Sequence, residues 1–260
     1  MTAIESIAQL YRHRVLAQVL ILRDLKARYH GTFFGFLWTL LNPLVLTLTY
    51  TIVFSKVLHV DMANFHVFVL AGVLPWLCFS STIGESSTSI LMNGGLIRRV
   101  ALPSEMFPLV CVGTNMVHCL LGSSALILMM IIAEVPITWT LFLFPLVLAV
   151  QVLFSYGLAL LIASLTVQFR DLNHMAPNLL IVWFFITPIT YPATMVPESL
   201  RPLVTANPMT PIIHAYQDIF YYGRLPAPMG LLLVTVLAVV LLFAGLSFFD
   251  ARREFIAEEV

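Results

Sequence analysis

Chemistry needs side chains that ionise, attack or coordinate, and this chain keeps nearly all of its own out of its apolar stretches. His118 is the one ionisable group near the centre of such a stretch, where a histidine either bonds a neighbouring helix or relays a proton. Arg170-Asp171 and Asp218 near Arg224 fall in connecting segments, where a surface ion pair is the ordinary outcome. The three cysteines, Cys78, Cys111 and Cys119, lie inside apolar runs and read as small buried or lipid-facing side chains. Neither HExxH nor the phosphate-cradling pattern GxxxxGK[ST] occurs. No catalytic residue, metal site or cofactor is therefore expected in this chain.

The elements that must hold these few groups follow from composition. The chain has 260 residues, 60% hydrophobic and 10% charged, at a mean hydropathy of +0.97. Water-soluble domains carry about 25% charged residues. So little polar surface cannot cover a globule in water, and lipid must be the solvent for much of the chain. The formal charge is zero, which leaves no basic footprint for nucleic acid. Apolar stretches at about 33–57, 65–84, 106–133, 139–167, 176–195 and 230–249 reach or approach the ~20 residues that cross a ~30 Å core. The expected fold is an all-α membrane protein with six transmembrane helices filling residues 33–260. Pro177, Pro188 and Pro192 bracket the fifth stretch and make it the least regular. Pro43 after Asn42 predicts a kink in the first. Residues 1–130 and 131–260 show no repeat, and the spans carry no acidic relay, both of which weigh against an ion-coupled carrier.

Before the first span, residues 2–30 place Ile4, Ile7, Tyr11, Val15, Val19, Leu22, Leu25 and Tyr29 at three- and four-residue steps. Residues 1–32 are expected to form an amphipathic interface helix in two parts that lies on the membrane, its basic side including Arg23, Lys26 and Arg28 beside Asp24. The apolar run 15–22 is short and has no small-residue cleavage site after it, so the first span would serve as an uncleaved signal. With six spans, ten Lys and Arg fall on the side of both termini and three (Lys56, Arg201 and Arg224) on the other. The positive-inside rule then puts both termini in the cytoplasm. The outer loop 196–229 holds six prolines, yet Ile212, Ile213, Tyr216, Ile219, Phe220, Tyr221 and Tyr222 make it apolar and aromatic. Either it is an interfacial loop anchored by tyrosines, or short helices dip back into the outer leaflet under protein cover.

The most specific signals are short blocks. Arg23-Asp24-Leu25-Lys26-Ala27-Arg28-Tyr29 is followed by Gly35-Phe36-Leu37-Trp38-Thr39-Leu40-Leu41-Asn42-Pro43-Leu44. Asn93-Gly94-Gly95-Leu96-Ile97-Arg98-Arg99 leads to Leu102-Pro103, then come Phe169-Arg170-Asp171-Leu172 and Asn207-Pro208. Together, and in this order over nearly the whole chain, they resemble the permease subunits of polysaccharide-exporting type-2 ABC transporters, which move O-antigen, capsule or teichoic-acid chains.

The resemblance implies a homodimer of six-span subunits in a bacterial inner membrane, around a channel for a lipid-linked polysaccharide. Two copies of a separate nucleotide-binding subunit would bind ATP and Mg and drive it. The cytoplasmic loop 85–105 would then couple to the ATPase through Asn93, Gly94, Leu96, Ile97, Arg98 and Arg99, with a Gly94-Gly95 break. Pro197, Asn207, Pro208, Tyr216 and Tyr221 would belong to an outer gate in 196–229. Phe33, Phe34, Trp38, Tyr50, Trp76, Phe79, Trp183 and Tyr191 are candidates to line the channel, because aromatic faces stack on sugar rings. Phe33, Phe34 and Tyr191 sit at span ends, where interfacial belts also place aromatics, and residue type does not decide between the two. A permease of the same superfamily for drugs or small lipids is the nearest alternative. An enzyme acting on polyprenyl-linked sugars would have only Glu85, Asp171 and His174 to work with.

Overall fold

A computed structural model of the chain describes residues 3–31, 33–57, 59–100 and 102–259, and every regular element among them is helical. Two short helices, α1 (Ala3–Arg12) and α2 (Arg14–Tyr29), lead into α3 (Trp38–Ile52) and α4 (Phe65–Met92). After α5 (Gly94–Val100) come the long α6 (Met106–Ile132) and α7 (Phe144–Gln168), then the shorter α8 (Leu172–Ile186). Two small helices, α9 (Arg201–Ala206) and α10 (Met209–Gln217), precede α11 (Pro228–Ala251) and α12 (Arg253–Glu259). Five helical stretches are long and apolar enough to cross a membrane: Gly35–Val57, Phe65–Met92, Met106–Ile132, Trp139–Gln168 and Pro228–Ala251.

Helices α4 and α7 are buried along most of their length and form the centre, with α3, α6, α8 and α11 around them. Lipid gives helices no hydrophobic reason to associate, so close backbone approach at small residues matters more than in water. Gly157 and Gly245 provide it between α7 and α11. A Cβ on Gly157 would lie 2.7 Å from the backbone nitrogen of Leu242, and one on Gly245 2.9 Å from Leu160 Cβ.

Several expected boundaries move. The second span does not stop at 84: α4 runs two further turns to Met92, because 85–92 has no helix breaker. Gly94-Gly95 opens α5 rather than breaking a helix, and the turn falls at Asn93. Pro43 sits in the second turn of an unbroken α3, where only the carbonyl of Thr39 loses its usual donor. The largest change is the fifth span. Instead of 176–195, α8 covers 15 residues and ends at Ile186, since Pro188 forces the residue before it out of helical geometry. Its length is about 22 Å against a ~30 Å core.

The N-terminal pair breaks at His13. Ile7, Tyr11, Val15, Val19 and Leu22 remain exposed as one stripe, whereas Ala17 and Leu20 are buried and Ile21 reaches Gly113 of α6. Thus α2 is apolar on two sides: one face is docked on the bundle and the other is left open.

Candidate functional site

Three features connect along α4: a charged cluster facing α2 and α6, a groove facing α3 and α8, and a hairpin beyond α8. The cluster lies at one end. From Phe65 to Glu85 is twenty residues of helix, or ~30 Å, the length that crosses a hydrocarbon core. Arg28 of α2 bonds the Glu85 carboxylate through Nη2, and its Nη1 donates to His118 Nδ1 at 3.1 Å. A guanidinium only donates, so this ring nitrogen accepts and the imidazole proton sits on Nε2. Asn115 Nδ2 donates to the second Glu85 oxygen at 2.8 Å. The cluster opens on a cavity of about 350 Å³ lined by Trp38, Thr39, Asn42, Ser81 and Cys119 among others. Both ionised partners stay about one-third exposed. Their attraction is therefore screened, and their contact can be exchanged for another.

Above the cluster is an uncharged groove of about 400 Å³ between α3, α4 and α8. Its walls are Tyr50, Trp76, Leu180 and Phe184, and its floor is Ser80, Ser81 and Gly84. Tyr50 stacks on Phe184 at 5.4 Å. Behind that surface the aromatics pack on one another: Phe79 stands 5.1 Å from Trp183 and 5.8 Å from Phe154. The expected lining set is thus split. Phe79 has no exposed surface and Trp76 is 5% exposed, so Phe79 is core and Trp76 offers only an edge. Phe33, Phe34 and Trp38 are well exposed, Tyr50 and Tyr191 are half-buried, and Trp183 is mostly covered by its neighbours.

At the other end α9 and α10 make a hairpin whose tip is Asn207-Pro208. Trp183 Nε1 donates to Asn207 Oδ1 at 2.8 Å, the amide N–H of Met209 to the same oxygen at 3.0 Å, and Asn207 Nδ2 to Thr187 Oγ1 at 2.8 Å. Trp183 packs on Trp76, eleven residues along α4 from Phe65, so the tip lies some 15 Å below that end of the helix. On the way back, Tyr216 donates to Gln151 Oε1 at 2.6 Å and Gln151 Nε2 to the Pro75 carbonyl at 2.8 Å. Gln217 Nε2 serves the Pro188 and Ile189 carbonyls at 3.3 and 3.2 Å, next to Gly72, where a Cβ would strike the Ile189 oxygen at 2.8 Å. Gln217 thus takes the place of water for the backbone left open where α8 stops. Tyr221 then bonds the Ala63 carbonyl at 2.6 Å beside the start of α4. Pro197 lies just before the hairpin, in the stretch that climbs from α8.

The basic end is tied by Arg253, whose Nη2 reaches the buried Glu105 carboxylate at 2.8 Å and Gln9 at 3.3 Å. Arg23 bonds Asp24 at 2.9 Å, and its Nη2 lies 3.4 Å from Asn93 Oδ1 at the α4–α5 turn. Ile97 is buried and Leu96 packs on the core. The side chains of Arg98 and Arg99 lie outside the described residues, and Lys26 forms no side-chain hydrogen bond or ion pair among the described residues. Among the described residues, no group of three or more His, Cys, Asp or Glu could hold a metal ion. Sequence reading passed over Asn115, Gln151, Thr187 and Gln217, and took Glu85 only as a loose loop acid. The available signal was an amide side chain inside an apolar run, which lipid makes costly unless it bonds a neighbouring helix.

Residues 15–221 match the ABC-2 type transporter family. The chain is 40% identical over 260 residues to the O-antigen export system permease protein RfbA of Myxococcus xanthus, covering 99% of this chain and all of that one. A Klebsiella pneumoniae protein of the same description is 29% identical over 246 residues, 94% of each. The polysialic acid transport protein KpsM of Escherichia coli is 24% identical over 257 residues, 93% of this chain and 95% of that one.

Proposed function

Because the chain belongs to the ABC-2 type transporter family, and is a multi-pass membrane protein of that family, we propose that it is the membrane subunit of an exporter of a lipid-linked cell-surface polysaccharide. The cargo class is O-antigen, capsule or teichoic-acid type. The observation that carries this reading is likeness over the whole length to an O-antigen export permease. The uncharged groove with Tyr50, Trp76 and Phe184 on its walls supports it, since such a surface lets sugars slide without strong directional bonds. The chain has no phosphate loop, so ATP and Mg belong to a separate ATPase, two copies of which act on a homodimer of this chain in the inner membrane, with both termini cytoplasmic.

In this reading the lipid-linked end of the cargo meets Arg28, Glu85 and Trp38 at the inner interface, and the glycan follows the α3–α4–α8 groove of the two copies. The α9–α10 hairpin re-enters the outer leaflet and gates the exit. The turn at Asn93 with α5, against α2, receives the motion of the ATPase. Replacing Arg98 and Arg99 with Glu uncouples ATP hydrolysis from export, and unchanged export would remove that assignment. For the function as a whole, the test is deletion of the gene, staining of surface glycan and analysis of lipid-linked intermediates. Polymer trapped on its lipid carrier inside the cell is the expected result. Normal surface glycan with new drug sensitivity would instead assign the chain to efflux of drugs or small lipids.

A further inference from the structure

The hairpin is bonded to protein on one side, and on the other it touches α11 at Pro211 and Gly230 but leaves a gap beside that contact. Towards α4, α7 and α8 it is bonded through Asn207, Tyr216 and Gln217. Towards α11 it borders a groove of about 640 Å³, the largest of the cavities described, walled by Val196, Val204, Ala206, Leu233, Val234 and Leu237. Gly230 lies at the start of α11 and Leu237 about 10 Å further along, so the groove spans roughly two-thirds of the ~15 Å that one leaflet's acyl chains occupy. Water does not suit it. The volume would take roughly twenty molecules at ~30 Å³ each, and each needs two to four polar partners. Beyond Asn207, which is engaged at the hairpin tip, the polar side chains on the wall are Arg201, Thr205, Thr210 and His214. Arg201 stands at the first position of α9, one turn and a half above the tip, and its ion partner is the exposed Glu198 carboxylate at 3.6 Å. Such a pair contributes little and is easily exchanged.

An apolar slot ~10 Å long with a guanidinium at its rim is complementary to an acyl chain that carries an anionic headgroup. We propose that this groove is a binding site for an anionic phospholipid of the outer leaflet, with an acyl chain along Val204, Leu233 and Leu237 and the phosphate at Arg201. The inference rests on reading α9–α10 as a hairpin that enters from the outer leaflet. In that case the bound lipid is the missing wall of the gate, and the lipid composition of the membrane sets how firmly the hairpin is held.

The test uses the full chain, purified as it assembles and placed in nanodiscs with phosphatidylglycerol carrying a photoreactive group in its acyl chain. Adducts are mapped by mass spectrometry. In the unaltered protein, labelling concentrates on residues 204–214 and 230–237. Ala206→Trp and Leu233→Trp fill the slot and remove that labelling, while adducts on the exposed face of α8 around Leu179 persist and show that the fold is intact. Arg201→Glu lowers labelling by phosphatidylglycerol about fivefold, the equivalent of ~1 kcal/mol for a charge at an anionic headgroup, and leaves labelling by a phosphatidylcholine probe unchanged. Labelling that ignores the tryptophans overturns the site, as does a disulfide between Thr205→Cys residues of two copies, which would show a second protomer in the groove. A membrane-impermeant maleimide on Thr205→Cys separates the two layers of the argument. Reaction from outside without lipid labelling removes the lipid alone, and reaction from the cytoplasmic side removes the hairpin reading itself.

Discussion

The charged cluster and the hairpin site, on either side of the α3–α4–α8 groove, are both polar, and they are polar in opposite ways. At the charged cluster Arg28 and Glu85 meet through long, ionised, one-third exposed side chains, with Asn115 and His118 bonded to them. At the hairpin end Asn207, Trp183, Thr187, Gln151, Tyr216 and Gln217 meet through neutral, buried groups. Water screens the first set and can replace any of its bonds. Nothing replaces the second set, since a donor orphaned there loses ~1–3 kcal/mol. The contrast separates a place built to exchange partners from a place built to keep them.

If that is right, substitutions at the two ends differ in kind. Asn207→Leu strips partners from Trp183, Thr187 and the Met209 amide at once and should have the largest effect, about 3 kcal/mol of stability and loss of export, read by thermal unfolding of the purified protein and by surface glycan. Gln151→Leu removes the Tyr216 hydroxyl's oxygen acceptor and the side-chain donor to the Pro75 carbonyl and should cost about 2 kcal/mol. Glu85→Gln should behave otherwise: a change in stability below ~1 kcal/mol but a clear fall in export, with Arg28 left unpaired at the intake. A melting loss as large as that of Gln151→Leu would erase the distinction. Glu198→Gln, at an exposed pair, should stay within ~0.5 kcal/mol of the parent in the same assays.

How much of this could be read in advance follows the same division. Hydropathy marked the long spans because lipid imposes length and composition on every helix that crosses it. The charged inner end was half legible: Arg28 stood in the most specific block, but its partners are 57 and 90 residues away, and no spacing rule links them. The hairpin end was least legible. Three prolines and an apolar run suggested an irregular fifth span, yet after the stop at Ile186 the Pro188 and Ile189 carbonyls are met by Gln217, which arrives from later in the chain. Phe79 shows the converse, an aromatic whose type fits a conduit and whose neighbours Phe154 and Trp183 enclose it.

The backbone contact of α7 with α11 at Gly157 and Gly245 bears on how such a molecule can work. Two helices that touch main chain to main chain cannot roll or slide without driving Leu241 and Leu160 into each other's backbone. They form a keel. Any change of shape in this protein is then expected to carry α7 and α11 together, and to find more freedom at α3 and α8, which show most of their surface.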